Sequence, residues 1–285
     1  MYMIALLEML PVWYQYSLVL LLGLVIGSFL NVVIYRYHTG KSLSGHSHCL
    51  SCGHALRWYE LFPLVSYVCL LGRCRSCGCT IPLRYFLVEI STAVLFAFLY
   101  MSLSLSLLFL FSMVLVSVLM VIAVYDIYHM VIPNELVVAT SVLAGGYMFL
   151  QYGLAWDMAV FISHAGAALG AFLLYGGLWF VSKGRWIGFG DAKLAIPLGF
   201  ILGAPAVFTF VVFSFWIGAI VSVGIIVIPA VFQVVKAYYA PYPVVNYSKY
   251  FTMKSEVPFA PFMIVAFLLV YIYHLDVLDL MASFM

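Results

Sequence analysis

The sequence predicts an all-α polytopic membrane protein with about eight transmembrane helices and a small zinc-stapled insert between the first two. Of its 285 residues, 67% are hydrophobic and 8% are charged, whereas soluble domains carry about 25% charged residues. A soluble chain of this composition would lack the polar surface that covers a core, so ordinary soluble proteins are excluded. Two further observations support this prediction: recurring apolar segments, and two CxxC pairs in the N-terminal third of the chain.

The apolar segments have the length of membrane-crossing helices. A hydrocarbon core about 30 Å thick is crossed by roughly 20 apolar residues. The sixth segment is short and contains Pro197, so we expect it to be tilted or partly spanning. The N-terminus lacks a basic region and a cleavage site, so the first span is expected to be retained. The predicted spans are 16–35, 85–103, 105–124, 135–151, 157–181, 192–203, 205–229 and 257–275.

The basic residues fall in alternate loops between these spans. Cytoplasmic loops of membrane proteins carry an excess of Lys and Arg, so these loops are predicted to be cytoplasmic and both termini to lie outside. The intervening loops carry acids and no base. The twelve basic residues are Arg36, Lys41, Arg57, Arg73, Arg75 and Arg84, then Lys183, Arg185 and Lys193, then Lys236, Lys249 and Lys254.

The insert, residues 37–84, contains the pairs Cys49-x-x-Cys52 and Cys74-x-x-Cys77, each followed by a glycine. Each pair puts two thiolates on one tight turn. Four thiolates at this spacing are typical of a closed tetrahedral zinc site, which holds shape and has no open position for catalysis. Disulfides are not expected in the cytoplasm. A polar segment this short needs a metal ion or another cross-link to fold.

Other residues of the insert leave alternatives open. A reducible redox pair and unliganded cysteines are the other interpretations of the two CxxC pairs. Cys69 lies in an apolar run and is predicted to be a buried thiol, whereas Cys79 could replace one of the four ligands. His46, His48 and His54 are near enough to close the site, or they are solvated loop histidines.

Two aspartates stand at span ends on the predicted cytoplasmic face. Asp126 ends an apolar helix in VIAVYDIYHMVIPNEL, and Asp191 precedes the sixth span in GFGDAKL. Like charges a few ångströms apart do not both ionise, so one carboxyl would stay protonated as an acid while the other activates water. Gly188 and Gly190 would let the backbone approach a substrate strand closely. On residue chemistry alone, catalysis, ion transport and helix capping all stay open.

Glu89 is predicted to lie about one turn inside the second span. An acid buried in a membrane helix generally has a partner or a function. We expect it to pair with Arg84 or Arg36 or to hydrogen-bond Asn31. A structural pairing and a contact with substrate are both open interpretations.

Taken together, these motifs resemble the prepilin peptidase family, the bifunctional leader peptidases and N-methyltransferases of type IV pili and type II secretion. The resemblance runs through nearly the whole chain. It rests on GSFLNVVIYR (27–36), CLSCGHALRWYELFPLVSY, GRCRSCGCTIPLRYFLVE, YDIYHMVIPN, GFGDAKLAIPLGFILG and VPFAPFMIVA (257–266).

The resemblance implies a GxGD-type aspartic protease of the bacterial inner membrane, with Asp126 and Asp191 as its catalytic pair on the cytoplasmic side. The implied substrates are pilin or pseudopilin precursors with a short basic leader before an apolar helix. The new N-terminal residue is then methylated with S-adenosylmethionine. Gly188, Gly190 and Glu89 are expected near the substrate. The alternative is a proton- or cation-coupled transporter that uses the same aspartates.

The remaining expectations concern organisation and partners. The chain is divided into a first span (1–36), the insert (37–84) and a protease core (85–285). Membrane lipid is an expected partner and nucleic acid is not; the oligomeric state is left open. No Gly-rich Rossmann fingerprint is present, so the cofactor-binding residues are unassigned and a non-Rossmann cleft near the insert is expected. Asn134 stands where the family commonly has an acid, and loop 230–256 has no assigned role.

Overall fold

The computed structural model describes residues 10–40, 42, 45–153, 157–239 and 257–277. Over these ranges the protein is helical and contains no strand beyond two isolated antiparallel bridges in the insert. The helices are α1 (Val12–Arg36), α2 (Val65–Cys69), α3 (Leu83–Leu103), α4 (Leu107–His129), α5 (Asn134–Tyr152), α6 (Met158–Ser182), α7 (Phe189–Tyr239) and α8 (Ala260–Tyr273), with a 3-10 turn at Trp58–Glu60.

Within the described ranges, five helices are long and apolar enough to cross a membrane: α1, α3, α4, α6 and α7. Helix α8 is a shorter apolar helix. The protein is therefore a multi-pass membrane protein, as predicted. The count of eight spans stays a prediction, because α5 and α8 do not meet the same standard of length and apolarity on their own.

Helix α7 contains a break where the sequence predicts the boundary between the sixth and seventh spans. Gly203 has φ 74° and ψ 174°, which is not a helical conformation. Pro205 follows and has no N–H to donate to a carbonyl of the preceding turn. The second half of α7 continues to Tyr239, so the predicted loop 230–256 begins later than expected, and 240–256 lie outside the described residues.

The chain forms two compact units. The first contains residues Met1–Tyr125 and Val138–Ala155, and the second contains Asp126–Val137 and Trp156–Met285. The boundary falls within α4 and α5, so each of these helices contributes to both units. The predicted division at residues 36 and 84 describes segments of the chain and stays a prediction.

In the first unit, α1 and α3 pack at very short range. A Cβ atom on Gly23 would lie 2.5 Å from the Cα of Ala93, and one on Gly27 would lie 2.8 Å from the Cα of Glu89. Glycines four residues apart present one face without side chains, which lets two membrane helices approach closely. This contact holds the start of α3, and therefore the end of the insert, against α1.

In the second unit, α6 packs against α7 around a buried tyrosine. The Tyr175 ring stacks on Phe215, with centroids 5.8 Å apart. Its hydroxyl lies 2.6 Å from Oγ of Ser214. Nearer the start of α7, a Cβ atom on Gly199 would lie 3.0 Å from the carbonyl oxygen of Ala167. These contacts fix the position of the first turns of α7, where Asp191 lies.

Candidate functional site

The structure brings Asp126 and Asp191 together in the second unit. Asp126 lies in the last turn of α4 and Asp191 in the first turn of α7. Both side chains are buried, with 5% and 6% of their surfaces exposed. Their carboxyl groups are close enough to interact electrostatically. Two acids held this near each other in a dry environment form a coupled pair that shares protons.

Each of these carboxyl groups has one supported oxygen and one unsupported oxygen. The backbone N–H of Gly188 donates to Oδ2 of Asp191 at 3.0 Å, and the backbone N–H of Ala260 interacts with the Asp126 carboxyl. Among the described residues, Oδ1 of Asp191 and Oδ2 of Asp126 are buried and have no hydrogen-bond partner. A buried polar atom left unpaired costs about 1–3 kcal/mol. These two oxygens are therefore the acceptors of the pair that the described residues leave unused.

Gly188 and Gly190 lie beside the pair with non-left-handed backbones. A Cβ atom on Gly188 would lie 3.2 Å from Oδ2 of Asp191, and one on Gly190 would lie 3.1 Å from Cβ of Ile132. In this structure the space that the glycines leave is therefore filled by the carboxylate and by Ile132. Their expected nearness to a substrate strand stays a prediction.

A lysine and an asparagine connect the segments that carry the two aspartates. Nζ of Lys193 donates to Oδ1 of Asn134 and lies 5.3 Å from the ring centroid of Phe189. At position 134 an acid would form an ion pair with this lysine, and the asparagine keeps the hydrogen bond without the charge. Nothing in the sequence connects these two residues, which are 59 positions apart.

Tyr175 was not singled out from the sequence. It is fully buried and interacts electrostatically with Asp191. Its ring centroid lies 6.0 Å from that of Phe259, the residue before Ala260. It therefore lies near Asp191 and beside the residue that precedes the support of Asp126. The only available signal was a hydroxyl in an apolar span, with Ser214 as a second hydroxyl in another span.

The four predicted metal ligands form a cluster in the first unit. The Sγ atoms of Cys49, Cys52, Cys74 and Cys77 all lie within 4.8 Å of one another, and those of Cys49 and Cys77 are 3.9 Å apart. Sulfurs bound tetrahedrally to zinc at about 2.3 Å are roughly 3.8 Å apart. Backbone N–H groups of Cys52 and Ser51 lower the pKa of the Cys49 thiol to about 6, which favours the thiolate that zinc requires. The donor set fits structural zinc.

The two CxxC turns, Cys49–Cys52 and Cys74–Cys77, are called the knuckles here and have the same backbone geometry. In each, the N–H of the first cysteine donates to the carbonyl five residues later, at 2.9 and 2.8 Å. The glycine after the second cysteine donates back to the carbonyl of the first, again at 2.9 and 2.8 Å. Gly53 and Gly78 have φ values of 71° and 69°, which side chains disfavour. A glycine at each of these positions therefore relieves backbone strain in the turn.

The remaining cysteines and the histidines lie outside this cluster. Sγ of Cys79 is 3.5 Å from Sγ of Cys49, so it stands beside the four ligands. Among the described residues, no histidine joins the cluster, and His54 faces Glu60 at 3.8 Å. The prediction that Cys69 is buried is wrong: its side chain is exposed, because the five-residue helix α2 buries none of its residues.

Glu89 has a different partner from those expected. Its Oε2 accepts a hydrogen bond from the backbone N–H of Leu64 at 2.8 Å, and Ser28 also hydrogen-bonds the carboxylate. Leu64 has φ 56° and ψ −48°, a strained backbone conformation for a non-glycine residue. The acid therefore holds the insert to α3. Its expected nearness to the substrate stays a prediction.

Two family models match the chain in the two regions that carry these sites. The model described as the bacterial peptidase A24 N-terminal domain matches residues 21–103, which include α1, the cysteine cluster and α3. The model of the type IV leader peptidase family matches residues 113–223, which include both aspartates.

Curated relatives agree with these models. The chain is 37% identical over 207 residues to the prepilin leader peptidase/N-methyltransferase of Myxococcus xanthus, over 71% of this chain and 60% of that protein. It is 32% identical over 248 residues to the protein of the same name from Aeromonas hydrophila, over 76% and 83%. The relative from Bacillus subtilis is 30% identical over 205 residues, over 72% and 80%. No solved structure matches the chain. The chain belongs to the type IV leader peptidase family.

Proposed function

We propose that the protein is a bifunctional aspartic endopeptidase and N-methyltransferase of the bacterial cytoplasmic membrane. It cleaves the short basic leader from type IV pilin or pseudopilin precursors and then methylates the new N-terminal residue. The observation that carries the peptidase role is the buried pair Asp126 and Asp191, in which one oxygen of each carboxyl group has no hydrogen-bond partner among the described residues. The names of the relatives support both activities.

The peptidase chemistry follows from two carboxyl groups that share one proton. The ionised carboxyl takes a proton from a water molecule, whose oxygen attacks the peptide carbonyl carbon. The protonated carboxyl gives its proton to the carbonyl oxygen as the tetrahedral intermediate forms. Collapse of the intermediate breaks the C–N bond, and the leaving amine takes a proton from the pair. The N–H of Gly188 supports this role because it holds one oxygen of Asp191 and leaves the other available.

The membrane setting supports a precursor with an apolar helix as the substrate. Such a helix lies among the spans while its basic leader stays in water, so cleavage has to occur at a membrane face. Asp126 and Asp191 belong to the terminal turns of their helices, as that requires. The segregation of all Lys and Arg residues to alternate loops supports the cytoplasmic face.

The insert holds zinc through Cys49, Cys52, Cys74 and Cys77, and the ion stabilises the fold of this segment. S-adenosylmethionine is the methyl donor; when bound, its sulfonium methyl group passes to the free amine of the cleaved substrate. A proton- or cation-coupled transporter receives no support from the family models, both of which describe peptidase domains.

The test is co-expression of the full chain with a pilin precursor, followed by mass spectrometry of the product's N-terminus. The wild-type chain should release the leader and add one methyl group. Asp126→Asn and Asp191→Asn should each lower the cleavage rate by at least about 100-fold. Asp157→Asn, at the exposed start of α6, is the matched control and should cleave normally. Cleavage that persists in either dyad variant contradicts the proposal.

A further inference from the structure

The insert presents an apolar face on the outside of the first unit. Residues 61–71, LFPLVSYVCLL, contain no charged side chain. In and beside this segment, six large apolar side chains are between 41% and 86% exposed. Exposed apolar side chains gathered on one short segment mark a binding surface, because water does not favour such a patch. Together they form the outer face of the insert: Trp58, Leu61, Phe62, Val65, Val68 and Leu71.

The opposite side of this segment packs along α3. The centroid of the Tyr67 ring lies 5.3 Å from that of Phe86, and the backbone N–H of Leu64 donates to Glu89 at 2.8 Å. Tyr67 is half-buried, whereas the next residue of α2, Val68, is exposed. One side of the segment therefore meets a membrane helix and the other side points away from the protein.

Helix α3 shows how deep in the membrane the segment lies. It has 21 residues, so at about 1.5 Å per residue it is about 31 Å long, just enough to cross a hydrocarbon core about 30 Å thick. Leu83 and Leu87, in its first two turns, are exposed apolar residues, so contact with lipid begins at the start of the helix. Glu89 lies six residues after Leu83, about 9 Å along the axis. Because Leu64 is bonded to Glu89, it lies at the same level.

Helix α1 gives an independent measure of the same depth. Ser28 hydrogen-bonds the Glu89 carboxylate and precedes Arg36, the last residue of α1, by eight positions. That separation corresponds to about 12 Å along the axis of α1. Helices that lie in a membrane interface bury their apolar faces about 5–10 Å into the boundary between headgroups and acyl chains. Both helices therefore place Leu64 at or just beyond this layer.

The backbone of the segment is suited to a dry environment. Where no water is present, N–H and C=O groups have to be paired within the protein. The N–H groups of Ser66, Val68 and Leu70 each donate to the carbonyl four residues earlier at 3.0 Å. The N–H of Leu64, at the turn that starts α2, is paired by Glu89. The acid thus satisfies a backbone donor that lipid would leave unpaired.

We propose that the outer face of the insert lies in the lipid leaflet on its own side of the membrane, among the headgroups and the upper acyl chains. Residues 61–71 then form a re-entrant segment with Leu64 at its deepest point. Trp58 and Arg73 flank the segment and are exposed, and an indole and a guanidinium at these positions reach the headgroups. Lipid contact also explains why Cys69 is exposed within an apolar run. The inference goes beyond the two proposed activities and depends on neither.

The test measures the surroundings of single spin labels on the full chain in phospholipid nanodiscs. Val65→Cys and Val68→Cys each carry the label, in a chain that also has Cys69→Ser and Cys79→Ser, so that the remaining four cysteines are the proposed zinc ligands. Ala55→Cys, an exposed position of the insert outside the outer face, is the matched control. Oxygen concentrates in hydrocarbon, whereas a polar nickel chelate is excluded from it. The ratio of oxygen to nickel collision rates should therefore be at least about fivefold higher at positions 65 and 68 than at position 55.

Trp58 provides a second measurement in a chain that keeps all its cysteines. The fluorescence of Trp58→Phe, subtracted from that of the wild type, isolates the emission of this one indole. Lipids brominated near the headgroup end of their acyl chains should remove about half or more of that emission, because the indole lies within the same layer. The same lipids without bromine are the control.

The outcomes are distinct. Collision ratios at positions 65 and 68 that match the ratio at position 55 would place the outer face in water and overturn the proposal. Low collision rates with both reagents would show that a protein partner or a second copy of the chain covers the face, which overturns it as well. Zinc content equal to that of the wild type reports a folded insert. If a labelled variant loses zinc, Trp58 decides: emission that brominated lipid leaves unchanged rejects the lipid contact. None of these measurements uses cleavage or methylation, so the proposed function is tested separately.

Discussion

The backbone N–H of Gly188 lies 3.0 Å from Oδ2 of Asp191 and donates a hydrogen bond to it. The two residues are three positions apart, at the start of α7, so the bond forms within one turn of chain. Because Oδ2 accepts this bond, Oδ1 is the oxygen of Asp191 that remains for the reaction. The GxGD sequence therefore orients the carboxylate of Asp191 in addition to forming a flexible turn.

Gly188→Ala should lower kcat for precursor cleavage by about tenfold, with little change in KM. A Cβ atom at this position would lie 3.2 Å from Oδ2 of Asp191, so the carboxylate has to move by a few tenths of an ångström, and small errors of position are costly in catalysis. Steady-state cleavage kinetics measure the effect. The control is Gly177→Ala in α6, where an added Cβ meets no atom within 4 Å; equal loss in both variants would contradict this account.

Tyr175→Phe should lower kcat by about 3- to 10-fold and leave KM within twofold. The phenol hydroxyl lies 2.6 Å from Oγ of Ser214 and interacts with Asp191, so its removal changes the surroundings of the pair and leaves the substrate contacts in place. Tyr175 is a positioning residue in this account.

Ser214→Ala should give an effect of the same size, and the double variant should be little worse than either single one, because the two hydroxyls act as one unit. Kinetics of the three variants measure the coupling. Additive losses would show that Tyr175 acts through its ring packing and not through the hydrogen bond.

The purified protein should contain about one zinc ion per chain, and Cys52→Ser should reduce that content strongly. The exposed Cys69 provides the matched control, since Cys69→Ser should leave the zinc content unchanged. Metal analysis after gel filtration makes the measurement. A full zinc content in Cys52→Ser together with its loss in Cys79→Ser would show that Cys79, and not Cys52, is the fourth ligand.

Zinc binding should weaken as the pH falls, because the thiols of Cys52 and Cys77, whose pKa values are raised, already carry protons at neutral pH, and it should weaken more steeply below about 6. The backbone N–H groups of Cys52 and Ser51 lower the pKa of the Cys49 thiol to about 6, so above this pH the free site presents a thiolate at that position. Below it, a proton has to be displaced before the metal binds, and affinity is lost with acidification. Competition with a chromophoric chelator across pH 5 to 8 tests this; an affinity independent of pH would contradict it.

Glu89→Leu should destabilise the insert, because the N–H of Leu64 would lose its buried acceptor, at a cost of about 1–3 kcal/mol. Leu64→Gly should be nearly neutral, because relief of the strained positive φ, about 1–3 kcal/mol, is offset by the larger conformational entropy of glycine in the unfolded chain and by loss of the leucine side chain. Hydrogen exchange of residues 61–69 in the zinc-loaded protein measures both changes. The same protection in wild type and Glu89→Leu would exclude this role for the acid.

Local chemistry made much of the architecture predictable. The predicted segments agree with the observed helices to within about five residues, since long apolar segments and glycine or proline steps define helix ends, except that α7 joins two predicted spans and ends at Tyr239, ten residues later than predicted. The spacing of Cys49, Cys52, Cys74 and Cys77 predicted a cluster that the structure forms. The coming together of Asp126 and Asp191 was also expected, from the charge of the loops.

Contacts between helices were not predictable in the same way. Tyr175 and Ser214 meet from different spans, and helices that are apolar on every side do not reveal which face meets which neighbour. Glu89 was assigned cationic or amide partners, whereas its partners are the backbone N–H of Leu64 and the hydroxyl of Ser28; a backbone partner cannot be identified from residue types. Cys69 was expected to be buried from its apolar surroundings, yet a five-residue helix has no face that others cover.

The hydrogen bond between Glu89 and Leu64 also limits how far the insert is an independent module. The zinc cluster can close the knuckles by itself, but the unusual turn at Leu64 depends on a carboxylate at position 89, in the helix that follows the insert. Residues 37–84 grafted onto another protein would therefore carry the metal site and lose that anchor. The insert and α3 therefore form one structural unit that has to be transferred intact.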